Sequence, residues 1–553
     1  MSYVAPLSLS PVAITGSLLL GCAWLLPNHY FPWLSFHADA WTALIFLLVA
    51  GFVVIGVPKG VRWYDFHFFI IAVALIPVLQ HTFGLVRFFG DAWIASSYVF
   101  GFLLALFVGA RWEDWRRSEP GDFIFLAIGA AATVSVGLQL FQWLQLGQNR
   151  DIFDLWILQL NGGRPYANLS QPNQLATLLL WGVCASGWGF VRGWLRWPTA
   201  MVLAAFLITG VALTQSRTAL VSLTLLLSSA WYFRRRWKQV KLYWGVAGLV
   251  VWYIFVSSLI QPISNLLHLV KPQSVADRIA MGDNARLSIW RMFLDALSER
   301  PLLGYGWNQT SHAQLNVALE HPGTHGVLYE HSHNLFLELI VWNGIPIGIA
   351  VSVILVVLFF NLGRRISSES QFVLLSPIIV VLTHALFEFP LHYAYFLLPF
   401  GVILGVLYAQ LNIECRLISG RWVLTSIWLG AAVMFFVTVL DYSKVERDFF
   451  ALRFKENSIG ANHAERVPSV IALSQLREII KYGYFVPTVG LDGEELEWMR
   501  AVTRSYPSPS NIKKLATALA MNGYQDEAEY WINIGCVVIP REQCQAIRLL
   551  TFQ

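Results

Sequence analysis

The chain has 553 residues, 56% of them hydrophobic and only 13% charged, with a formal net charge of +5. Soluble domains carry about a quarter of their residues as charges, so a water-soluble globular protein is excluded. Nucleic-acid binding is excluded too, because the basic residues fall in short clusters between apolar runs, not on one face of a polar domain.

A bilayer-spanning helix needs about 20 mainly apolar residues, and about thirteen stretches meet that criterion. They are, roughly, 8–26, 41–57, 64–80, 92–110, 121–144, 173–191, 198–213, 218–233, 242–261, 335–361, 370–388, 391–411 and 422–440. The first has no basic segment before it and reads as a retained span, not a cleaved leader. With the N-terminus in the cytoplasm, the loops placed inside carry Lys59 and Arg62; Arg111, Arg116 and Arg117; Arg192 and Arg196; Arg234, Arg235, Arg236, Lys238 and Lys241; Arg364 and Arg365; Arg416 and Arg421. The short loops placed outside carry only Arg87, Arg150, Arg164 and Arg217. That asymmetry follows the positive-inside rule at every crossing. The expected fold is all-α: a polytopic membrane protein with a large periplasmic loop and a small helical periplasmic C-terminal domain. Its parts are N-terminal spans (1–261), the loop (262–334), C-terminal spans (335–440) and the C-terminal domain (441–553). In a bacterium this is a multi-pass protein of the inner membrane.

Charges become frequent from Asp441 onward. Ser508 or Ser510 can cap a helix that Gly523 ends, and Gln525 to Ile532 supplies a second, so the pair reads as one helical-repeat hairpin. It serves either as a cap on the membrane domain or as a protein-docking surface. Of five cysteines, none has metal-ligand spacing, and Cys536 and Cys544 are close enough to pair in an oxidising compartment. No metal and no cofactor is expected.

Four polar clusters face outward, where ionisable groups at membrane depth are costly and need a reason. Arg164, Asn168, Gln171, Asn173 and Gln174 precede the sixth span. Amides at a helix N-terminus suit phosphate or sugar hydroxyls, although capping would account for Asn173 alone. Gln215 and Arg217 stand between two spans with almost no loop. Arg offers an always-charged fork for phosphate, and snorkelling to headgroups is the plainer alternative. Arg286 and Trp290 share a helix face and Arg291 projects elsewhere, so Arg286 reads as a second anion ligand or as part of an interfacial helix. The stretch from His325 through His331, His333 and Asn334 to Glu338 closes the long loop. If His333 lies in the first turn of the tenth span, the helix dipole keeps its ring neutral and able to accept a proton. The segment from His384 through Glu388 to His392 and Tyr393 places a carboxylate at the outer end of another span.

In this order, the Gln215-Ser216-Arg217 element, the outer loop with Arg286 and the Gly304-Tyr305-Gly306 turn, and His333-Asn334 running to Glu338 with Asn343-Gly344 resemble the bacterial O-antigen ligase and O-oligosaccharyltransferase superfamily. The 168–174 and 384–393 elements and the outer tail look most like its pilin-glycosylating branch. The resemblance, over about residues 100–410, implies an inverting, metal-independent glycosyl transfer. The donor would be a glycan on undecaprenyl diphosphate held among membrane lipid, and the acceptor a hydroxyl on a pilin-like periplasmic protein or on lipid A-core. It further implies that Arg217 and Arg286 bind the diphosphate and that His333 is the base; Arg291 is a further candidate for the diphosphate. O-antigen ligation or polymerisation is the nearest alternative, and a transporter or flippase the more distant one. The reading requires Arg217, Arg286 and His333 to serve one cavity.

Overall fold

The computed structural model describes residues 9–56, 61–146, 155–160, 163–237, 241–269, 285–322, 326–411, 413–418, 421–459, 465–539 and Cys544. Lys59, Arg150, Lys238 and His325, named above, lie outside these residues. Nineteen helices are named here in chain order: α1 Pro11–Gly21, α2 Phe36–Gly56, α3 Asp65–Thr82, α4 Phe89–Trp115, α5 Glu119–Trp143, α6 Pro172–Val191, α7 Trp197–Leu213, α8 Arg217–Phe233, α9 Lys241–Leu266, α10 Ala285–Glu299, α11 Thr310–Val317, α12 Leu335–Arg364, α13 Glu369–Ala385, α14 Ala394–Gln410, α15 Arg421–Glu456, α16 Ser474–Tyr484, α17 Gly493–Ser505, α18 Pro509–Met521 and α19 Gln525–Val538. Among the described residues the strands are Val61–Trp63 and Arg416–Ile418, paired antiparallel with Val61 opposite Ile418.

Each of the thirteen apolar stretches lies on a helix. Among the described residues eight helices are long and apolar enough to cross a membrane: α2, α3, α4, α5, α6, α9, α12 and α15. Four more, starting at Pro11, Trp197, Glu369 and Ala394, are apolar but shorter. The chain is a polytopic helical membrane protein.

The chain divides into two compact units. The first comprises residues 1–70, 100–283 and 358–435, and the second 71–99, 284–357 and 436–553. In the first, α6 is the central helix. It packs on α5, α7, α8 and α13, and its Trp181 and Trp188 are fully buried. Where apolar area offers no driving force in lipid, close packing and polar ties hold helices together. Here Trp188 Nε1 donates to Asp122 at 2.9 Å, and Arg192 grips the same carboxylate at 2.9 and 3.1 Å.

In the second unit, α15 runs unbroken past Asp441, where the composition changes. Charged residues with long side chains are good helix formers, so a change of polarity does not end a helix. The Asp441 carboxylate instead accepts the N–H groups of Ile471 and Ala472 at 2.7 and 2.6 Å. Four amphipathic helices, α16 to α19, then bury one apolar core that includes Tyr482, Met499, Leu515 and Trp531. The expectation of one hairpin captured α18 and α19 and missed α16 and α17. Ser508 is the cap, accepting from Asn511 N–H at 3.1 Å, and Gly523 turns the chain at φ 87°. Cys536 and Cys544 form a disulfide with a Cα–Cα distance of 4.8 Å.

Candidate functional site

In the first unit the 163–171 loop enters α6 under control of two amides on α5. Gln142 Oε1 accepts from Tyr166 and Ala167 N–H at 3.0 and 2.7 Å, and its Nε2 donates to Leu158 and Ala167 carbonyls at 2.7 and 2.8 Å. Gln139 Nε2 donates to the Gly210 carbonyl on α7 at 3.0 Å. Buried amides that find all these partners fix a loop that has no regular structure of its own. Asn168 is a strut within it: its Nδ2 donates to Leu25 and Trp156 carbonyls at 2.7 and 2.8 Å, and its Oδ1 accepts from Leu158 N–H at 3.1 Å. Gln174 Oε1 accepts from Tyr395 OH at 2.9 Å.

Gln171 and Asn173 both turn their amide N–H groups onto the buried Glu388 carboxylate. His384 Nε2 stands 3.1 Å from the same carboxylate, and its Nδ1 lies 2.9 Å from Thr177 Oγ1. Arg164 continues the network: its Nε donates to the Thr214 carbonyl at 2.8 Å and one Nη donates to Asn173 Oδ1 at 3.3 Å. Thr214 leads to Gln215, held at φ 49° with its Nε2 donating to the Ala212 carbonyl at 2.9 Å. Ser216 caps α8 by accepting Ala219 N–H at 3.2 Å. Arg217 is therefore the first residue of a helix. The positive dipole end of that turn adds to its guanidinium, a setting for an anion. In the Pro390–His392 turn after Glu388, His392 meets Phe389 edge-on at 5.8 Å, and Tyr393 stacks on Tyr395 at 5.2 Å.

In the second unit the loop before α12 is built around Glu338, which is buried. Its carboxylate accepts from Thr310 Oγ1 at 2.8 Å, from Ser332 N–H at 2.5 Å and from Ser332 Oγ, and lies 3.3 Å from His331 Nδ1. Asn334 caps α12, its Oδ1 accepting from Phe336 and Leu337 N–H at 3.0 and 3.1 Å. His333 thus stands just before the cap, at φ 56°, and not in the first turn as the sequence suggested. The side chain of Asn334 takes the capping role, and the left-handed turn at His333 lets the chain reach it. Arg286 is half-buried at the start of α10 and Arg291 is exposed. At about 100° per residue the two are roughly 140° apart around the helix. Trp290 Nε1 donates to the Ser332 carbonyl at 3.1 Å, tying α10 to the histidine loop.

The turn at Gly304 docks on a break in α12. Gly344, at φ 76°, interrupts the helix. Tyr305 and Gly306 N–H donate to the Val341 and Trp342 carbonyls at 2.9 and 3.0 Å, and Ile345 N–H donates to the Pro301 carbonyl at 2.7 Å. Gln80 closes the contact, its Nε2 donating to the Trp342 carbonyl at 2.9 Å and its Oε1 accepting Trp307 N–H at 2.8 Å.

The structure thus joins Arg164, Gln171, Asn173 and Glu388 in one unit, and His331, Glu338 and the α10 tie in the other. Gln139, Gln142, Thr177, Thr310 and Ser332 are supporting residues the sequence reading missed. Two amides in the apolar C-terminal stretch of α5 were the available signal for the first pair; Thr310 and Ser332 left none. Of the nine non-glycine residues with positive φ among those described, Ala167, Ser170, Gln215 and His333 fall in the three motif loops. Such strain persists where the surroundings over-determine it, often at functional sites. Among the described residues no three His, Cys, Asp or Glu side chains gather as metal ligands would.

Residues 200–352 match the family model described as O-antigen ligase, residues 165–188 that of protein glycosylation ligase, and residues 372–546 that of the C-terminal part of a virulence-factor membrane-bound polymerase. The chain is 28% identical over 528 residues to a general O-oligosaccharyltransferase of Acinetobacter baylyi, covering 93% of this chain and 90% of that protein. It is 31% identical over 464 residues to a ComP-specific O-oligosaccharyltransferase of the same organism, covering 80% of each.

Proposed function

We propose that this chain, which belongs to the bacterial O-antigen ligase and O-oligosaccharyltransferase superfamily, moves a glycan from undecaprenyl diphosphate to a Ser or Thr hydroxyl of a pilin-like periplasmic protein. It is a membrane glycosyltransferase; donor, acceptor and residue roles are the proposal. The acceptor hydroxyl oxygen attacks the anomeric carbon of the lipid-linked glycan. The bond from that carbon to the diphosphate oxygen breaks, His333 takes the hydroxyl proton, and the diphosphate leaves with its negative charge. One displacement inverts the anomeric centre. Arg217 and Arg286 stabilise the departing charge, with Arg291 contributing at the surface. A fixed donor of this kind is worth about 3–4 kcal/mol in the transition state, and a positioned base about 10²–10⁴ in rate. Glu338 and His331 hold the loop that presents His333. Glu388 holds Gln171 and Asn173 in place beside the entry to α6, and His392 and Tyr393 line the following turn.

In the accompanying topology all thirteen apolar helices cross the bacterial inner membrane, with the N-terminus in the cytoplasm. The 262–334 loop and the domain from 441 onward then face the periplasm.

The observation that carries the reading is the pair of pinned, strained loops: Gln215 delivering Arg217 to a helix N-terminus, and Ser332 to Asn334 delivering His333. Incubating the purified chain with lipid-diphosphate-linked glycan and either a pilin-like protein or lipid A-core tests it. Mass spectrometry should find the glycan on serine or threonine of the protein. Transfer to lipid A-core alone would make the chain an O-antigen ligase, and elongation of the donor glycan a polymerase.

A further inference from the structure

A polar cavity lies in the second unit, away from the motif loops. It is about 190 Å³ in volume and is lined by residues of α11, α17, α19 and the end of α10. Arg300 and Arg504 bring two guanidiniums to it, His312 an imidazole, Asn316 an amide, and Tyr530 and Trp531 two aromatic rings. Among the described residues neither Arg300 nor Arg504 forms an ion pair. Arg300 lies 5.1 Å over the Tyr305 ring. Glu527 is gripped by Arg500 at 2.8 and 2.6 Å, and Glu299, next to Arg300, accepts from Asn316 of the lining at 3.4 Å. Two guanidiniums at one cavity, neither of them ion-paired among the described residues, make a site for an anion. The exposed Tyr530 ring adds a flat apolar surface, which a bare inorganic anion does not need and the C–H face of a sugar does. The cavity is smaller than the roughly 300–1,000 Å³ that drug-sized ligands occupy, so it suits one ring and not an oligosaccharide.

We propose that this cavity binds an acidic monosaccharide unit of a glycan, its anionic group between Arg300 and Arg504 and its ring against Tyr530. The assignment of glycan as ligand rests on the oligosaccharyltransferase reading. It gives the C-terminal helices a part in selecting which glycans are held, distinct from the chemistry at the motif loops.

The test uses the full chain in detergent, with D-glucuronate as probe, D-glucose as neutral control and a short acidic peptide as competitor, read by calorimetry. The wild type should bind glucuronate at least tenfold more tightly than glucose. The R300A/R504A double variant should lose that preference and still transfer an uncharged glycan to acceptor protein at the wild-type rate. Equal binding of glucuronate and glucose, or unchanged glucuronate binding by the double variant, overturns the site. A peptide that displaces glucuronate at lower concentration than free glucuronate itself overturns the sugar assignment in favour of an acidic protein partner. Glucuronate binding by a wild type that transfers no glycan at all would sink the proposed function and leave the cavity assignment standing.

Discussion

At the scale of single residues, the groups proposed to touch substrate are distinct from the groups that hold them. Glu338 is the clearest holder, since its carboxylate satisfies Thr310, Ser332 and His331 together. Replacing it with alanine leaves those buried donors unsatisfied, at about 1–3 kcal/mol. E338A should therefore expose the 326–334 segment to limited proteolysis and depress transfer, while donor binding through Arg217 is retained. Protection equal to the wild type would remove Glu338 from the holding role. His312 offers a pH prediction. Burial, reinforced by the Arg300 and Arg504 charges, lowers its pKa to about 4, against about 6.5 for an unfolded histidine. Between those values the unfolded chain binds the extra proton, so the stability contributed by a neutral His312 is complete above about 6.5 and is lost as pH falls towards 4. Thermal melts at pH 7 and pH 5 should show a larger drop for the wild type than for H312F; equal drops contradict the assignment.

At the scale of elements, the break in α12 is the most constrained feature. A Cβ on Gly344 would lie 2.2 Å from the Leu302 carbonyl oxygen, and φ there is +76°. That backbone, at φ 76° and ψ 171°, is one that essentially only glycine adopts and costs an alanine about 1–3 kcal/mol, and the backbone contact adds to it. G344A should lower the melting temperature by several degrees. In contrast G363A, on the same helix with nothing within 4 Å, should leave it unchanged or raise it. Equal melts for the two variants would mean that the Gly304 turn does not dock as described. Helices such as α12 and α15 were legible because apolar length is written locally. The left-handed turn at His333 was not, since it depends on Asn334 taking the cap and on Glu338 gripping Ser332 from a turn later. Gln171, Asn173 and Glu388 were each singled out in the sequence, yet their mutual bonding spans more than 200 residues and leaves no local trace. In the C-terminal helices the Pro-Ser punctuation before α18 was readable; α16 has no side-chain cap to announce it, and the Asp492–Glu495 capping box that opens α17 was the signal missed there.

For the molecule as a whole, orientation across the membrane is the next test. The Cys536–Cys544 disulfide suits an oxidising compartment, in agreement with an exterior C-terminal domain. A membrane-impermeant maleimide applied to intact cells should label these two cysteines only after a reductant is added, and labelling without reductant, or from the cytoplasmic side alone, contradicts the topology. The central claim is a division of labour between Arg217 and His333 on one lipid-linked donor. Its most direct test measures donor binding and glycan transfer side by side for R217A and H333A, each first shown to insert and melt like the wild type. The account predicts that H333A keeps donor binding and loses transfer by about 10²–10⁴, while R217A loses transfer through weakened hold on the diphosphate. Normal transfer by either variant, or donor binding lost in H333A and intact in R217A, would contradict it.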